Sequence, residues 1–205
     1  MRVQADSWSS SLPSTEVDDT DARILDAAVA LFAELGISRV SPDDIARHAG
    51  INRATLYRRI GNKDEVVRAA MLRETTRVLA EITERVNRTD SFEERVTVGF
   101  ATTVTTLRTN PVLVKMLTVD RDRTLADLTV HAGQILELAT TFVLTEIINR
   151  PGAIGDATET EMLATMMVRL VHSLVLTPDA PPRLTSDNEL QEFATRLLTL
   201  LTRPS

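Results

Sequence analysis

Helix-start signals recur along this chain at short intervals, and no stretch sustains the apolar–polar alternation of a half-buried strand. Ser41-Pro42-Asp43-Asp44 is the fullest of these signals. The Ser41 hydroxyl can accept from free helical N–H groups, Pro42 suits the first helical position, and Asp44 stands where a capping-box carboxylate reaches back. Asn52 precedes a second short helix, and Asn62-Lys63-Asp64-Glu65 opens a longer one. Further starts fall at Ser91 with Glu94, Asn110 with Pro111, Thr158 with Glu161 and Ser186 with Glu189. Stops fall at Gly36, at Ala49-Gly50, at Pro151-Gly152 and between Pro178 and Pro182. The pattern predicts an all-α protein of about nine helices, the first three of them forming an N-terminal unit.

With 205 residues, 43% of them apolar and 25% charged, such a chain can bury a sizeable core. It contains no cysteine, which removes disulfides, thiolate metal sites and cysteine nucleophiles. The three histidines, His48, His131 and His172, are widely spaced. No metal-ligand spacing, Gly-rich phosphate loop or nucleophile motif accompanies them, so no enzyme, metal or cofactor is expected. No run reaches the roughly 18 apolar residues of a membrane span, and Met1 to Thr20 lack a basic start followed by an apolar core. The expected location is the cytoplasm. Residues 1–19, rich in Ser, Thr and acidic groups and carrying the single Trp8, read as a mobile tail.

The net charge of −6 argues against nucleic acid as a partner until its distribution is considered. Residues 20–68 hold eight basic side chains against seven acidic, which leaves −7 for the rest. Within that segment, Ser41 to Ala49 and Asn52 to Arg59 are two short helices joined by a tight Ala49-Gly50-Ile51-Asn52 turn, the spacing of a helix-turn-helix. Ile45, Ala46, Ala49, Ile51, Leu56 and Ile60 would close the pair onto the first helix, where Ile24, Leu25, Ala28, Leu31 and Phe32 form a stripe. Left outside are Arg53, Ala54, Thr55, Tyr57, Arg58 and Arg59, capped by Asn52. Arginine can fork onto guanine, alanine can touch a thymine methyl, and Thr and Tyr hydroxyls reach phosphate. Ser41 at one helix start and Lys63 at another are further phosphate contacts. The same pattern also suits an ordinary solvated helix.

The linked motif is more specific than its parts. Ile24-Leu25-Asp26-Ala27-Ala28, Leu31-Phe32, Gly36, Ser41-Pro42-Asp43-Asp44-Ile45-Ala46, Ala49-Gly50-Ile51, Ala54-Thr55-Leu56-Tyr57 and Lys63 together resemble the DNA-binding domain of TetR/AcrR-family transcriptional regulators. Ile60 departs from that pattern, standing where an aromatic is common. The resemblance implies a DNA-binding domain over residues 20–67 and a larger helical ligand-binding and dimerisation domain over 68–205. It also implies a homodimer on a palindromic operator, its recognition helices roughly 34–36 Å apart. A repressor released by an unknown small apolar or amphipathic effector is the expected mode. A regulator governed by abundance or by a protein partner is the alternative.

Behind the motif the sequence is less specific. Phe100, Thr103, Leu107, Met116, His131, Gln134, Leu136, Thr140 and Val143 are candidate ligand contacts, on helices that in the family surround an apolar pocket. Plain core packing, or threonines bonding to their own backbone, accounts for the same residues. Met162, Met166, Met167, Leu170 and Leu174 form one broad stripe, and Phe193, Leu197 and Leu201 a second. Two such helices from each protomer would make a four-helix dimer interface, with His172 on the same face. Packing within one chain is the other reading of both stripes.

Overall fold

The computed structural model describes residues 19–148 and 156–201. The tail with Trp8, the Pro151-Gly152 break and the Leu201 side chain lie outside the described residues. Ten α-helices and no strands are found among them: α1 (Asp19–Leu35), α2 (Pro42–His48), α3 (Arg53–Arg59), α4 (Lys63–Val86), α5 (Phe92–Thr109), α6 (Pro111–Thr118), α7 (Arg121–Leu128), α8 (Gly133–Phe142), α9 (Ala157–Leu176) and α10 (Asp187–Leu201).

Two apolar cores organise these helices. In α1 the buried residues are Ile24, Ala27, Ala28, Leu31 and Phe32, the three- and four-residue spacing of one helix face. That face closes on Ile45 and Ala46 of α2, Leu56 of α3, and Val66 and Ala70 of α4. A side chain as fully enclosed as Phe32 contributes about 1.5–3 kcal/mol through burial alone. The second core joins Val78, Ile82 and Val86 of α4 to Val96, Phe100 and Val104 of α5, and to buried faces of α9 and α10. Helix α4 therefore belongs to both cores, its first half to one and its second half to the other.

Helix α6, which follows α5, packs on the N-terminal core. Val112 of α6 is buried in the N-terminal core, and Met116 packs against it. Asn110 caps α6 by accepting from the Leu113 N–H at 2.9 Å, while its amide donates to Glu74 of α4 at 2.5 Å. Arg77 donates to the same carboxylate at 2.8 and 3.0 Å. Those Arg77 bonds, then Asn110, outweigh burial and hold the Glu74 carboxyl below its ordinary pKa. At the far end of α6 the Asp120 carboxylate accepts from the Ile37 and Ser38 N–H groups at 2.8 and 3.2 Å, pinning the turn that follows α1. Gly36 makes that approach possible. Its φ is +90°, and a Cβ there would sit 2.8 Å from Val119 Cγ1.

Three details differ from the sequence expectation. Helix α7 carries no usable start signal, because the Asp120 carboxylate is engaged by the α1–α2 turn and does not cap its own helix. Helix α9 starts earlier than Thr158, at a complete capping box between Asp156 and Glu159. After α8 the chain continues as a π-helical turn, Val143–Ile148. Within that turn Ile147 and Ile148 are buried, whereas Ile135 and Leu138 of α8 stand exposed.

Candidate nucleic-acid interface

The α2–α3 pair is built almost entirely by local chemistry. Ser41 accepts from the Asp44 N–H, and Asp44 accepts from both the Ser41 N–H and hydroxyl, at 3.0 and 2.6 Å. These bonds to Ser41 keep the Asp44 carboxyl below its usual range. Asn52 caps α3 by accepting from the Thr55 N–H at 2.8 Å. Between the helices Gly50 adopts φ +68°, which reverses the chain within the turn. The Arg23 guanidinium of α1 donates to the Ala49 carbonyl and fixes the end of α2.

With Leu56 fully buried, α3 turns a fixed face outward. Arg53, Ala54, Tyr57 and Arg58 are exposed there at positions i, i+1, i+4 and i+5, one side of the helix. Arg53 does not wave freely. It donates to Asp43 of α2 at 3.0 Å and to the Tyr57 hydroxyl at 3.1 Å, and its guanidinium lies 5.2 Å from the Tyr57 ring centroid. The Tyr57 hydrogen bond, followed by the Asp43 charge, raises the Arg53 pKa further.

Other predicted contacts are placed differently. Thr55 is half-buried. Arg59, expected on the outer face, turns back to Asp21 of α1 in a 2.8 Å ion pair, because Asp21 in the first turn of α1 lies within its reach. Ser41 has its hydroxyl committed to Asp44. Lys63 is half-buried with its ammonium 3.5 Å from the Ser38 carbonyl. Ile60 packs against the N-terminal core, as an aromatic at that position would.

Comparison with known proteins places this geometry. A family model of bacterial regulatory proteins of the tetR family matches residues 24–70, and a tetracyclin-repressor C-terminal domain model matches residues 92–196. The chain belongs to the TetR family. It is 33% identical over 156 residues to an HTH-type transcriptional regulator of Mycobacterium tuberculosis, covering 76% of this chain and 74% of the relative. The fold resembles that of the TetR-family repressor AlkX from a Dietzia strain, with TM-score 0.60, 20% identity and coverage of 90% of this chain and 98% of the other. It also resembles AibR, solved in complex with isovaleryl coenzyme A and operator DNA, with TM-score 0.51, 17% identity and coverage of 87% and 97%. As a TetR-family member the chain is a DNA-binding transcriptional regulator and not an enzyme. No helix among the described residues is long and apolar enough to cross a membrane.

The C-terminal half of this TetR-family chain does not gather the nine candidate ligand residues around one space. A cavity of about 20 Å³ lies between α5, α9 and α10, lined by Val96, Phe100, Leu163, Met167, Leu170 and Leu197 among others. Of the nine, Phe100 reaches it. Leu107 and Val143 pack elsewhere on the same core, and Met116 serves the N-terminal core instead. Thr103 and Thr140 donate to the Gly99 and Leu136 carbonyls of their own helices, at 2.7 and 2.8 Å. Leu136 is half-buried, while His131 and Gln134 face outward.

The proposed interface stripe is likewise divided. Met162 is 58% exposed and Met166 37%, whereas Met167 and Leu174 are buried in the chain's own core. Leu170, Phe193 and Leu197 are half-buried, Phe193 with its ring centroid 6.1 Å from that of Phe100. His172 turns inward, with Nε2 2.6 Å from the Leu128 carbonyl at the end of α7. Leu200, on the second of the two apolar stripes, is 65% exposed.

Proposed function

We propose that this chain is a cytoplasmic homodimeric repressor. Residues 20–67 hold a palindromic operator, and residues 68–205 dimerise and release it when a small apolar or amphipathic effector enters. The observation that carries the DNA part is the outward face of α3, with Arg53, Ala54, Tyr57 and Arg58 on a scaffold whose inward face is complete. Such a face fits a major groove, and two copies about one helical turn apart, roughly 34–36 Å, fit successive grooves. The exposed Met162, Met166 and Leu200 support a partner protomer over α9 and α10, since two helices from each chain would cover them.

Release would travel through α4, which belongs to both cores, and from it to α6. An effector spreading α5, α9 and α10 displaces the second half of α4, and the Glu74–Asn110 contact passes that displacement to α6. AibR, solved in complex with isovaleryl coenzyme A and operator DNA, supports the coarser point that one chain of this fold takes both a small molecule and DNA.

A regulator without an effector has one observation in its favour. The cavity of about 20 Å³ holds little more than one water, so an effector must push the core open. The flexible Met166 and Met167 at its wall make such opening feasible.

Selecting duplexes from a random pool with the purified protein, then titrating the selected complex with acyl thioesters and free apolar molecules, separates these readings. A coupling of about 1–3 kcal/mol would weaken binding about 5–150-fold. Selection without any ligand response favours the effector-free regulator. Failure to select any duplex removes the operator-binding reading.

A further inference from the structure

Asp43 and Asp44 are adjacent, yet they do different things. Asp44 is absorbed by its own helix start through Ser41, and by Arg47 at 2.8 Å. Asp43 leaves its helix and reaches Arg53, ten residues on, at the first position of α3. Both partners are more than half exposed, at 54% and 59%, so the pair adds little to stability. A carboxylate also repels the phosphates of an approaching duplex. What it does to Arg53 is the effect that bears on base reading.

A guanidinium carries five N–H donors. Asp43 and the Tyr57 hydroxyl take one each, on different terminal nitrogens, and leave three. Guanine needs two, on O6 and N7. By donor count, both intramolecular bonds are compatible with reading a base. A free arginine beside DNA has a competing choice, the more strongly charged phosphate, which carries no sequence information. Fixing the guanidinium before contact suppresses that choice and reduces the ordering cost of binding.

We propose that Asp43 is a specificity-determining positioning residue: together with Tyr57 it holds Arg53 in the base-reading orientation and away from the phosphate backbone. This rests on the reading of α3 as the groove-entering helix. Asp43 also sits in the first turn of α2, where a negative charge favours the helix dipole. That role predicts a loss of stability on substitution and no change in base preference. Simple removal of a negative charge predicts tighter binding to every duplex alike.

The test is a double-mutant cycle on the selected operator and its single-base variants, using the wild-type protein, Arg53→Ala, Asp43→Ala and the double variant, with Asp43→Asn as a near-isosteric second choice. Arg53→Ala should lower discrimination at one base pair per half-site by about tenfold. Asp43→Ala should lower discrimination at that same base pair at least threefold. It should also raise affinity for unrelated duplexes and steepen the salt dependence as Arg53 moves to phosphate. The double variant should discriminate no worse than Arg53→Ala alone. Melting temperatures should stay level throughout. The proposal is overturned if Asp43→Ala and Asp43→Asn tighten all duplexes equally with the base ratio unchanged, or if Arg53→Ala alters no base preference. Failure of the wild-type protein to bind any duplex would instead remove the underlying reading of α3, and this inference with it.

Discussion

Replacing Asn110 tests the link between α4 and α6. This side chain is buried, and it caps α6 with its oxygen while its nitrogen serves Glu74 of α4. In Asn110→Ala the lost cap costs about 1 kcal/mol. The Glu74 oxygen left one donor short costs about 1–3 kcal/mol, toward the low end because Arg77 still donates to the carboxylate. A loss of roughly 2–3 kcal/mol is therefore expected in urea unfolding, with the denaturant slope unchanged. Asn110→Asp separates the two contributions. Aspartate caps as well as asparagine, but it turns a carboxylate toward Glu74. Two like charges in contact raise one carboxyl pKa in the folded state above its unfolded value. Such a group supports the fold below its unfolded pKa and ceases to as pH rises through the folded one. Asn110→Asp should thus be markedly unstable at pH 7 and regain stability on acidification. In the wild type the Glu74 pKa is lowered, so its contribution is present above the ordinary carboxylate range and fades as pH falls through the folded value. The two pH profiles should converge in acid. An Asn110→Asp protein as stable as wild type at pH 7 would refute the assigned hydrogen bond.

Three further outcomes are expected. Gly36→Ala forces a side chain into φ +90° against Val119 and should cost at least about 1–2 kcal/mol in thermal unfolding, partly restored by Val119→Ala; an unchanged melting curve would contradict the close approach. The Glu189 carboxyl accepts from the Thr185 and Ser186 N–H groups and hydroxyls, and its pKa falls to about 2. Its stabilising effect on the start of α10 should be present above pH 4.5 and disappear as pH falls from there toward 2, which an NMR titration of Glu189 would read directly; a midpoint near 4.5 would remove the capping role. The double substitution Met162→Glu with Met166→Glu should yield a folded monomer in sedimentation and weaken operator binding; an unaltered dimer would place the interface elsewhere.

The N-terminal unit was legible in the sequence because its structure is local. Ser41, Asn52 and Asn62 each cap the helix they were expected to cap, and the Ile24–Phe32 spacing alone identifies the buried face of α1. What escaped was decided across long sequence separations. Arg59 looks like a neighbour of Arg58 in the sequence, but Asp21, 38 residues earlier, claims it. Met116 belongs to the N-terminal core because α6 crosses over to α1, which no local pattern records. For the threonines of α5 and α8 the sequence left two readings open, and Thr103 and Thr140 take the local one, bonding to carbonyls one turn back. The stripe on α9 was real, yet apolar periodicity does not distinguish Met167, buried in its own chain, from Met162, turned to solvent. The π-helical turn after α8 left no compositional mark.

The central claim is that the exposed side of α3 meets the bases of duplex DNA, once per protomer. Placing a photoreactive side chain at position 54, with one at position 135 on the exposed face of α8 as control, and irradiating the complex with a selected palindromic duplex reads this directly. The account predicts efficient cross-links from position 54 to a base at the same place in both half-sites, and none from position 135. A complex that forms but cross-links from neither position, or from position 135 in preference, would contradict it.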